Sequence, residues 1–286
     1  MFNRIRHAPR KIINTLQWVL KPKEYLVLQW ATEGVIVKNW GDKLNRYLAE
    51  KISGRRIMHR ADVYPIPGKK IHYWIGSHLA TALSHKDSVI WGAGFISANI
   101  PFETTNNADI RAVRGWLSHG RLKEKGVKVP DVVGDAALLL PRFYTPKTTK
   151  KYALGVIPHC FEWDEPFFIN VQNWGDDVLV IDITGGIEEV VDQIISCEKI
   201  LSSSLHGIIC ADSYGVPALW IHASDKPKGD GFKFLDYFSS VGRPDKKPIK
   251  VDGSSSRSEL ENCFFDYSIS IDLEKLWQAC PVISSR

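Results

Sequence analysis

Short apolar runs, many of them ending on glycine, alternate with stretches of helical period along the chain. In the first half, residues 26–30 read as a strand, Asn39-Trp40-Gly41-Asp42 as a turn and residues 43–52 as a helix. Residues 72–75 and 88–91 are short buried strands that close on Gly76 and on Gly92-Ala93-Gly94. Residues 110–113 form another strand, leading through Arg114-Gly115 into a helix that starts near Ser118. Residues 131–133 form a further strand ending at Gly134-Asp135. A break rich in Pro, Thr and Lys covers residues 141–151. After it come strands at 152–157 and 178–182, a helix at 186–197, a strand at 199–202, a helix at 205–214, a strand at 217–221 and a helix at 234–241. Strands alternating with helices predict βα units and a mainly parallel sheet. The expected fold class is therefore α/β, with two Rossmann-like domains whose mainly parallel sheets face each other across a cleft. The expected divisions are a basic amphipathic N-terminal segment over 1–25, a first domain over 26–148 on the acceptor side and a second over 149–250 on the donor side. A linker and C-terminal helix over 251–286 then cross back to the first domain. In open parallel sheets ligands bind beyond the carboxyl ends of strands, and the motifs singled out below fall there.

The totals narrow the class. The 286 residues suffice for two modest domains. A net charge of +5 suits an anionic substrate or a membrane surface and is too small to indicate nucleic acid. The five cysteines are widely spaced with no C-x-x-C pair, and the nine histidines show no H-E-x-x-H pattern. Neither a disulfide framework nor a metal site is expected, and a reducing cytoplasm fits. No apolar run reaches the roughly 18 residues of a membrane span, and no signal-peptide core is present. The ten tryptophans serve either core packing or a sugar- or membrane-facing surface. Residues 1–23 hold Arg4, Arg6, Arg10, Lys11, Lys21 and Lys23 and no acidic residue, interleaved with Phe2, Ile5, Ile12, Ile13, Leu16, Trp18, Val19 and Leu20. A basic amphipathic helix of this kind either lies in the interface of an anionic bilayer or packs on the body of the protein.

The segment richest in candidate chemistry runs from Lys199 to Trp220. A buried strand ends in Ser202, Ser203 and Ser204 and enters a helix, whose N-terminus has unpaired N–H groups and the positive end of a dipole. With serine hydroxyls as further donors, and Leu205 and Gly207 alongside, this is a seat for a phosphate or carboxylate. The plainer alternative makes the serines ordinary N-caps and His206 a satisfied helix residue. A free imidazole titrates near neutrality, which suits His206 to general acid or base work. Gly92-Ala93-Gly94 is too short for a dinucleotide fingerprint, so no nicotinamide cofactor is expected.

The run Ser203-Ser204-Leu205-His206-Gly207, followed by a short helix and Gly215-Val216-Pro217, resembles the signature of the polysaccharide pyruvyl transferase family. Further matches stand in the same order. They are Asn39-Trp40-Gly41-Asp42, Gly92-Ala93-Gly94, Val113-Arg114-Gly115-Trp116-Leu117-Ser118, Gly134-Asp135, Gly155-Val156-Ile157-Pro158-His159 and Lys233-Phe234-Leu235-Asp236-Tyr237. They span about residues 36–242 and are most similar to the exopolysaccharide, succinoglycan-type branch. The resemblance implies a GT-B-like fold with the active site between the two domains. It implies phosphoenolpyruvate as co-substrate, no further cofactor, and a pyruvate ketal on two sugar hydroxyls as product. The acceptor implied is a polysaccharide or lipid-linked oligosaccharide at the inner face of the cytoplasmic membrane. The basic N-terminal segment would hold a cytoplasmic, peripheral enzyme there. Two other readings stand beside this one: a sugar-nucleotide glycosyltransferase of the same architecture, and a non-catalytic glycan-binding relative.

The resemblance also implies roles. Arg114 matches the family's Arg-Gly-x-x-Ser element, which ends at Ser118, and would clamp an anionic group of the donor, against the alternative of a structural salt bridge. His206 would protonate the donor or support the leaving phosphate. Many members carry Arg before Leu-His-Gly, where this chain has Ser204, so the cation is expected from Lys233, Lys228 or Arg243. Asn39 and Asp42 stand where the first strand meets its helix, and Asp42 either caps that helix or orients or deprotonates an acceptor hydroxyl. His159 is a second base or a loop histidine, with Glu162 near it to bind sugar hydroxyls.

Overall fold

The computed structural model describes residues 2–32, 39–105 and 107–283, with side chains from residue 9 onward. The expected basic and apolar side chains of Phe2, Arg4, Ile5 and Arg6 lie outside that range, as do residues 36–38 of the matched stretch. In chain order the elements of the first half are α1 (Phe2–Leu20), β1 (Tyr25–Leu28), α2 (Trp40–Ser53), β2 (Arg56–His59), β3 (Ile71–Tyr73), α3 (Leu79–Ser84), β4 (Ser88–Trp91), β5 (Asp109–Ala112) and α4 (Trp116–Glu124). Then follow β6 (Tyr152–Ile157), α5 (Pro166–Val171), β7 (Val178–Val180), α6 (Ile187–Ile195), β8 (Cys197–Ser202), α7 (Leu205–Ser213), β9 (Ala218–His222), α8 (Phe232–Val241), β10 (Ile249–Lys250), α9 (Arg257–Glu261) and α10 (Leu273–Gln278).

The described strands build two five-stranded sheets, ordered β2-β1-β3-β4-β5 and β7-β6-β8-β9-β10, with parallel pairing throughout. Counted from its own first strand, each sheet has the order 2-1-3-4-5. In that doubly wound order the connections reverse direction between the first and third strands, and a crevice opens there beyond the carboxyl ends. The crevices lie at β1/β3 and at β6/β8. β6 pairs with β8 from Tyr152–Cys197 to Ile157–Ser202, which brings the carboxyl ends of the two strands level. This is the α/β, GT-B-like arrangement of two Rossmann-like sheets facing across a cleft.

The central strands form because their residues are apolar on both faces, as a parallel sheet covered by helices requires. All four residues of β1 and of β4 are buried. Two departures from the sequence pattern have physical causes. β2, Arg56-Ile57-Met58-His59, is a partly exposed edge strand with no apolar run to announce it. Residues 131–133 give only a single bridge, Val133 to Val113, because a tight 3₁₀ run, Ala136–Arg142, begins directly afterwards.

The two halves share contacts. The indole of Trp40 donates to the Ile187 carbonyl at 3.3 Å, and the Tyr47 hydroxyl donates to Glu188 at 2.7 Å, joining α2 to α6. α10 lies against the first half: the Trp91 indole donates to the Leu276 carbonyl at 2.9 Å. Trp40, Trp74 and Trp91 are fully buried, so core packing accounts for these three.

Candidate active site

Both crevices open into one cleft of about 220 Å³. Ala31 follows β1, Asn39 and Asp42 begin α2, and Gly76, Ser77 and His78 follow β3. From the other sheet come His159 and Phe161 after β6, and Ser204, Leu205 and His206 at the start of α7. Lys228 and Lys233 complete the wall. The winding reversal of each sheet thus delivers its loops to the same space.

His206 reaches the cleft across a glycine. A Cβ on Gly41 would stand 2.1 Å from His206 Nδ1, so no other residue fits in that turn of Asn39-Trp40-Gly41-Asp42 without moving the ring. The other ring nitrogen, Nε2, lies 3.8 Å from Oδ2 of the buried Asp135, and neither atom has a hydrogen-bond partner. Burial, then the Arg114 charge, lowers the His206 pKa to about 3. Burial raises Asp135 to about 6. His159 is lowered to about 3 by burial and then by Lys233. His78 is lowered to about 4 by burial and then by Arg114, and its Nε2 is buried without a partner. Asp42 accepts from the Ala31 amide at 3.1 Å, yet burial raises its carboxyl to about 7. Burial brings Lys233 down to about 8, close to the Lys228 carbonyl at 3.5 Å. Uncharged imidazoles, a carboxyl poised near neutrality and a partly titrating amine are the shifts that desolvation produces at reactive sites.

Other expected residues stand elsewhere. Arg114 is fully buried and is not among the residues that line the cleft. Its Nε donates to Asp236 at 3.0 Å, Nη1 to the Ser77 hydroxyl at 2.8 Å and Nη2 to the Phe95 carbonyl at 2.6 Å. Ser118 is fully buried too, because its amide and hydroxyl both donate to Asp236 at 2.7 Å. A Cβ on Gly115 would meet the Asp236 carbonyl at 1.7 Å, so the Arg-Gly-x-x-Ser element serves the contact between α4 and α8. Ser202 is turned inward: its hydroxyl donates to the Ser204 carbonyl at 2.9 Å and accepts from the Ser204 amide at 3.0 Å. Gly207 packs on that hydroxyl, where a Cβ would come within 2.6 Å of Ser202 Oγ. Arg243 is tied to Asp212 and Asp245 at 2.9 Å, which leaves Lys228 and Lys233 as the cations of the three considered that line the cleft. Ser203 and Glu162 line an adjoining pocket. Asn39 caps α2, its Oδ1 accepting from the Gly41 amide at 3.0 Å. His78 and Asp135 were not assigned from the sequence. Each nonetheless stands just after a glycine, His78 two residues past Gly76 and Asp135 directly after Gly134.

Two Rossmann-like sheets meeting at a cleft of titratable groups place the chain among α/β proteins of GT-B-like build. Comparison with known proteins is narrower. The family model for polysaccharide pyruvyl transferase matches residues 13–224, and the chain belongs to that family. Uncharacterized protein L143 of Acanthamoeba polyphaga mimivirus is 32% identical over 214 residues, 71% of each chain. Succinoglycan biosynthesis protein ExoV of Rhizobium meliloti (strain 1021) is 30% identical over 226 residues, 74% of this chain and 66% of that one. Family membership supports a pyruvyltransferase role. Lys228 and Lys233 lie beyond the matched stretch.

Proposed function

We propose that the protein transfers the pyruvyl group of phosphoenolpyruvate to two hydroxyls of a sugar in a surface polysaccharide or its lipid-linked precursor, forming a pyruvate ketal. The observation that carries this reading is the convergence of Asp42, His159, His206 and Lys233 in one cleft of a chain of this family. The donor carries a phosphate and a carboxylate and needs cations and N–H donors. Lys233, still largely protonated at pH 7 with a pKa of about 8, and Lys228 supply charge that Ser204 does not. The free amides at the start of α7 add donors.

The atoms balance in two steps. A proton adds to the methylene carbon, and one acceptor oxygen bonds to C2 while Asp42 takes its hydroxyl proton. A second hydroxyl oxygen then bonds to C2 as the C2–O bond to phosphate breaks. Its proton passes to His159 or leaves with the phosphate. His206 is the donor of the methylene proton. It is neutral in the empty cleft, and a bound polyanion raises its proton affinity, with Asp135 behind it to stabilise the cation. The test is phosphate release from phosphoenolpyruvate with a lipid-linked or synthetic acceptor. Acceptor-dependent release that His206→Ala abolishes is expected. Turnover with a nucleotide sugar alone would favour the glycosyltransferase reading. Glycan binding with no turnover would favour a non-catalytic relative.

No described helix is long and apolar enough to cross a membrane. The same reading has α1 resting on the anionic inner face of the cytoplasmic membrane, where lipid-linked acceptors stand. α1 is docked through Trp18, 4% exposed, and through Thr15, whose hydroxyl accepts from the Tyr64 amide at 2.8 Å. It leaves Ile12, Ile13, Leu16 and Leu20 exposed, Leu20 at 75%, beside exposed Arg10 and Lys23. Trp18 belongs to the core, so substitution tests this better than deletion. Ile13→Asp with Leu16→Asp is expected to weaken co-sedimentation with phosphatidylglycerol vesicles. Binding equal to wild type refutes the placement.

A further inference from the structure

We infer that the pocket next to the cleft, beneath the loop from β9 to α8, holds a neutral sugar ring of the acceptor through its hydroxyls. The inference rests on the pyruvyl-transfer reading of the cleft and names what the neighbouring space is for. The pocket measures about 300 Å³ and shares Lys228 and Lys233 with the cleft, so one ligand can occupy both. That volume is at the lower end of the roughly 300–1,000 Å³ typical of small-molecule sites.

Its chemistry favours hydroxyl donors. Glu162 is fully buried; Oε1 accepts from the Ser224 hydroxyl at 2.8 Å, and Oε2 has no hydrogen-bond partner. The nearby Ser203 hydroxyl accepts from the His159 amide at 2.8 Å. Burial pushes the Glu162 pKa up, against hydrogen bonds from Ser203 and Ser224 that hold it down, and a buried carboxyl oxygen short of a donor is destabilising until a ligand supplies one. One wall is aromatic, with the rings of Trp220 and Phe234 stacked at 4.5 Å and 14°. Gly231 passes beside Trp220 at φ 81°, where a Cβ would come within 3.1 Å of the indole. An apolar face beside a hydrogen-bond acceptor matches the two sides of a pyranose. Ketal closure needs two hydroxyls held against one carbon, and a ring gripped through its other hydroxyls meets that need. Lys233 lines both the pocket that holds Glu162 and the cleft that holds Asp42.

A nucleotide ribose carries a similar pair of hydroxyls. Its diphosphate would meet Lys228, Lys233 and Lys250 as well as Glu162, Asp225 and Asp230 in this pocket, so charge alone does not choose between the two ligands and the experiment must. Saturation-transfer NMR on the full chain separates the sources, using methyl glycosides of glucose, galactose and mannose and, in parallel, UDP-glucose. At least one glycoside is expected to bind. Its affinity is expected to fall about tenfold or more in Glu162→Gln, as for a lost hydrogen bond to a charged group. Ser224→Phe, which fills the pocket from its rim, is expected to do the same, and it serves if the first variant does not fold. Phosphoenolpyruvate binding, read by phosphorus line broadening, stays unchanged in both. Failure of every glycoside to bind, or displacement of the glycoside by UDP-glucose, overturns the inference. Glycoside binding with no use of phosphoenolpyruvate sinks the reaction and leaves the pocket standing.

Discussion

Arg114, fully buried, and His206, partly buried, are both polar side chains just beyond the carboxyl ends of strands, and they differ in what surrounds them. Around Arg114 the partners are matched: Asp236, Ser77, Phe95 and Ser118 form a closed set of hydrogen bonds between the two halves. Around His206 they are left short: its Nε2, Asp135 Oδ2 and His78 Nε2 are buried with no partner. A satisfied buried network makes the packing specific. An unsatisfied one destabilises the empty site and becomes favourable when a ligand completes it. A guanidinium at a strand end is therefore a ligand-binding group only if it has donors to spare. Arg243, bonded to Asp212 and Asp245, obeys the same rule.

The comparison can be broken experimentally. The largest effect is expected from Arg114→Ala, which leaves the Asp236 carboxylate buried without its cation, at a cost of about 3–5 kcal/mol in denaturant unfolding. Arg114→Met with Asp236→Leu should recover much of that loss, and this non-additivity is the signature of a direct pair. A single variant as stable as wild type would show the cluster is not saturated in the sense drawn above. His206→Ala is expected to do the reverse. It removes a group with no partner, so stability changes by about 1 kcal/mol or less, while turnover falls about 10²–10⁴-fold.

The buried central strands could be read because parallel sheets write themselves as largely apolar runs; β1, β4 and β6 are of that kind, and β8 is so only in its second half, Ile200-Leu201. β2 and the two-residue β10 could not, since edge strands need no such run. The winding reversal that makes the cleft was also hidden, because it depends on which strands pair. The motifs marked the strand ends well, and Asn39, Asp42, His159, Ser204, Leu205, His206 and Lys233 do line the cleft. They did not show that Arg114 pairs with Asp236, because that residue lies 122 positions later in the chain. Asp135 was visible only as the partner of a glycine, and its neighbour His206 is distant in sequence.

A smaller effect is expected at Gly41, where the structure sharpens the contrast without touching a functional group. The added methyl of Gly41→Ala would lie 2.1 Å from His206 Nδ1 and push the imidazole off its position. Misplacement of about 1 Å lowers rate on the order of 10²-fold, with little loss of stability beside that of Arg114→Ala. Full activity in Gly41→Ala would mean that the ring position is not critical.

The mildest test is pH. Burial holds the Asp42 proton up to about pH 7 and loosens that of Lys233 to about 8. The ionised base and the charged amine therefore coexist between those values. The rate constant kcat/KM, which reports the free enzyme, is expected to peak there and to fall about tenfold per pH unit on each side. Asp42→Asn should remove the acid limb from the residual activity. Stability carries the matching sign. The unfolded chain releases this proton near the ordinary carboxylate value of about 4, whereas the folded chain keeps it to about 7. The contribution of Asp42 is thus complete below about pH 4 and is lost as pH climbs towards 7. Asp42→Asn has no proton to release and should flatten that decline. An unchanged slope would mean that Asp42 ionises like an exposed carboxylate, and the cleft would lose its base.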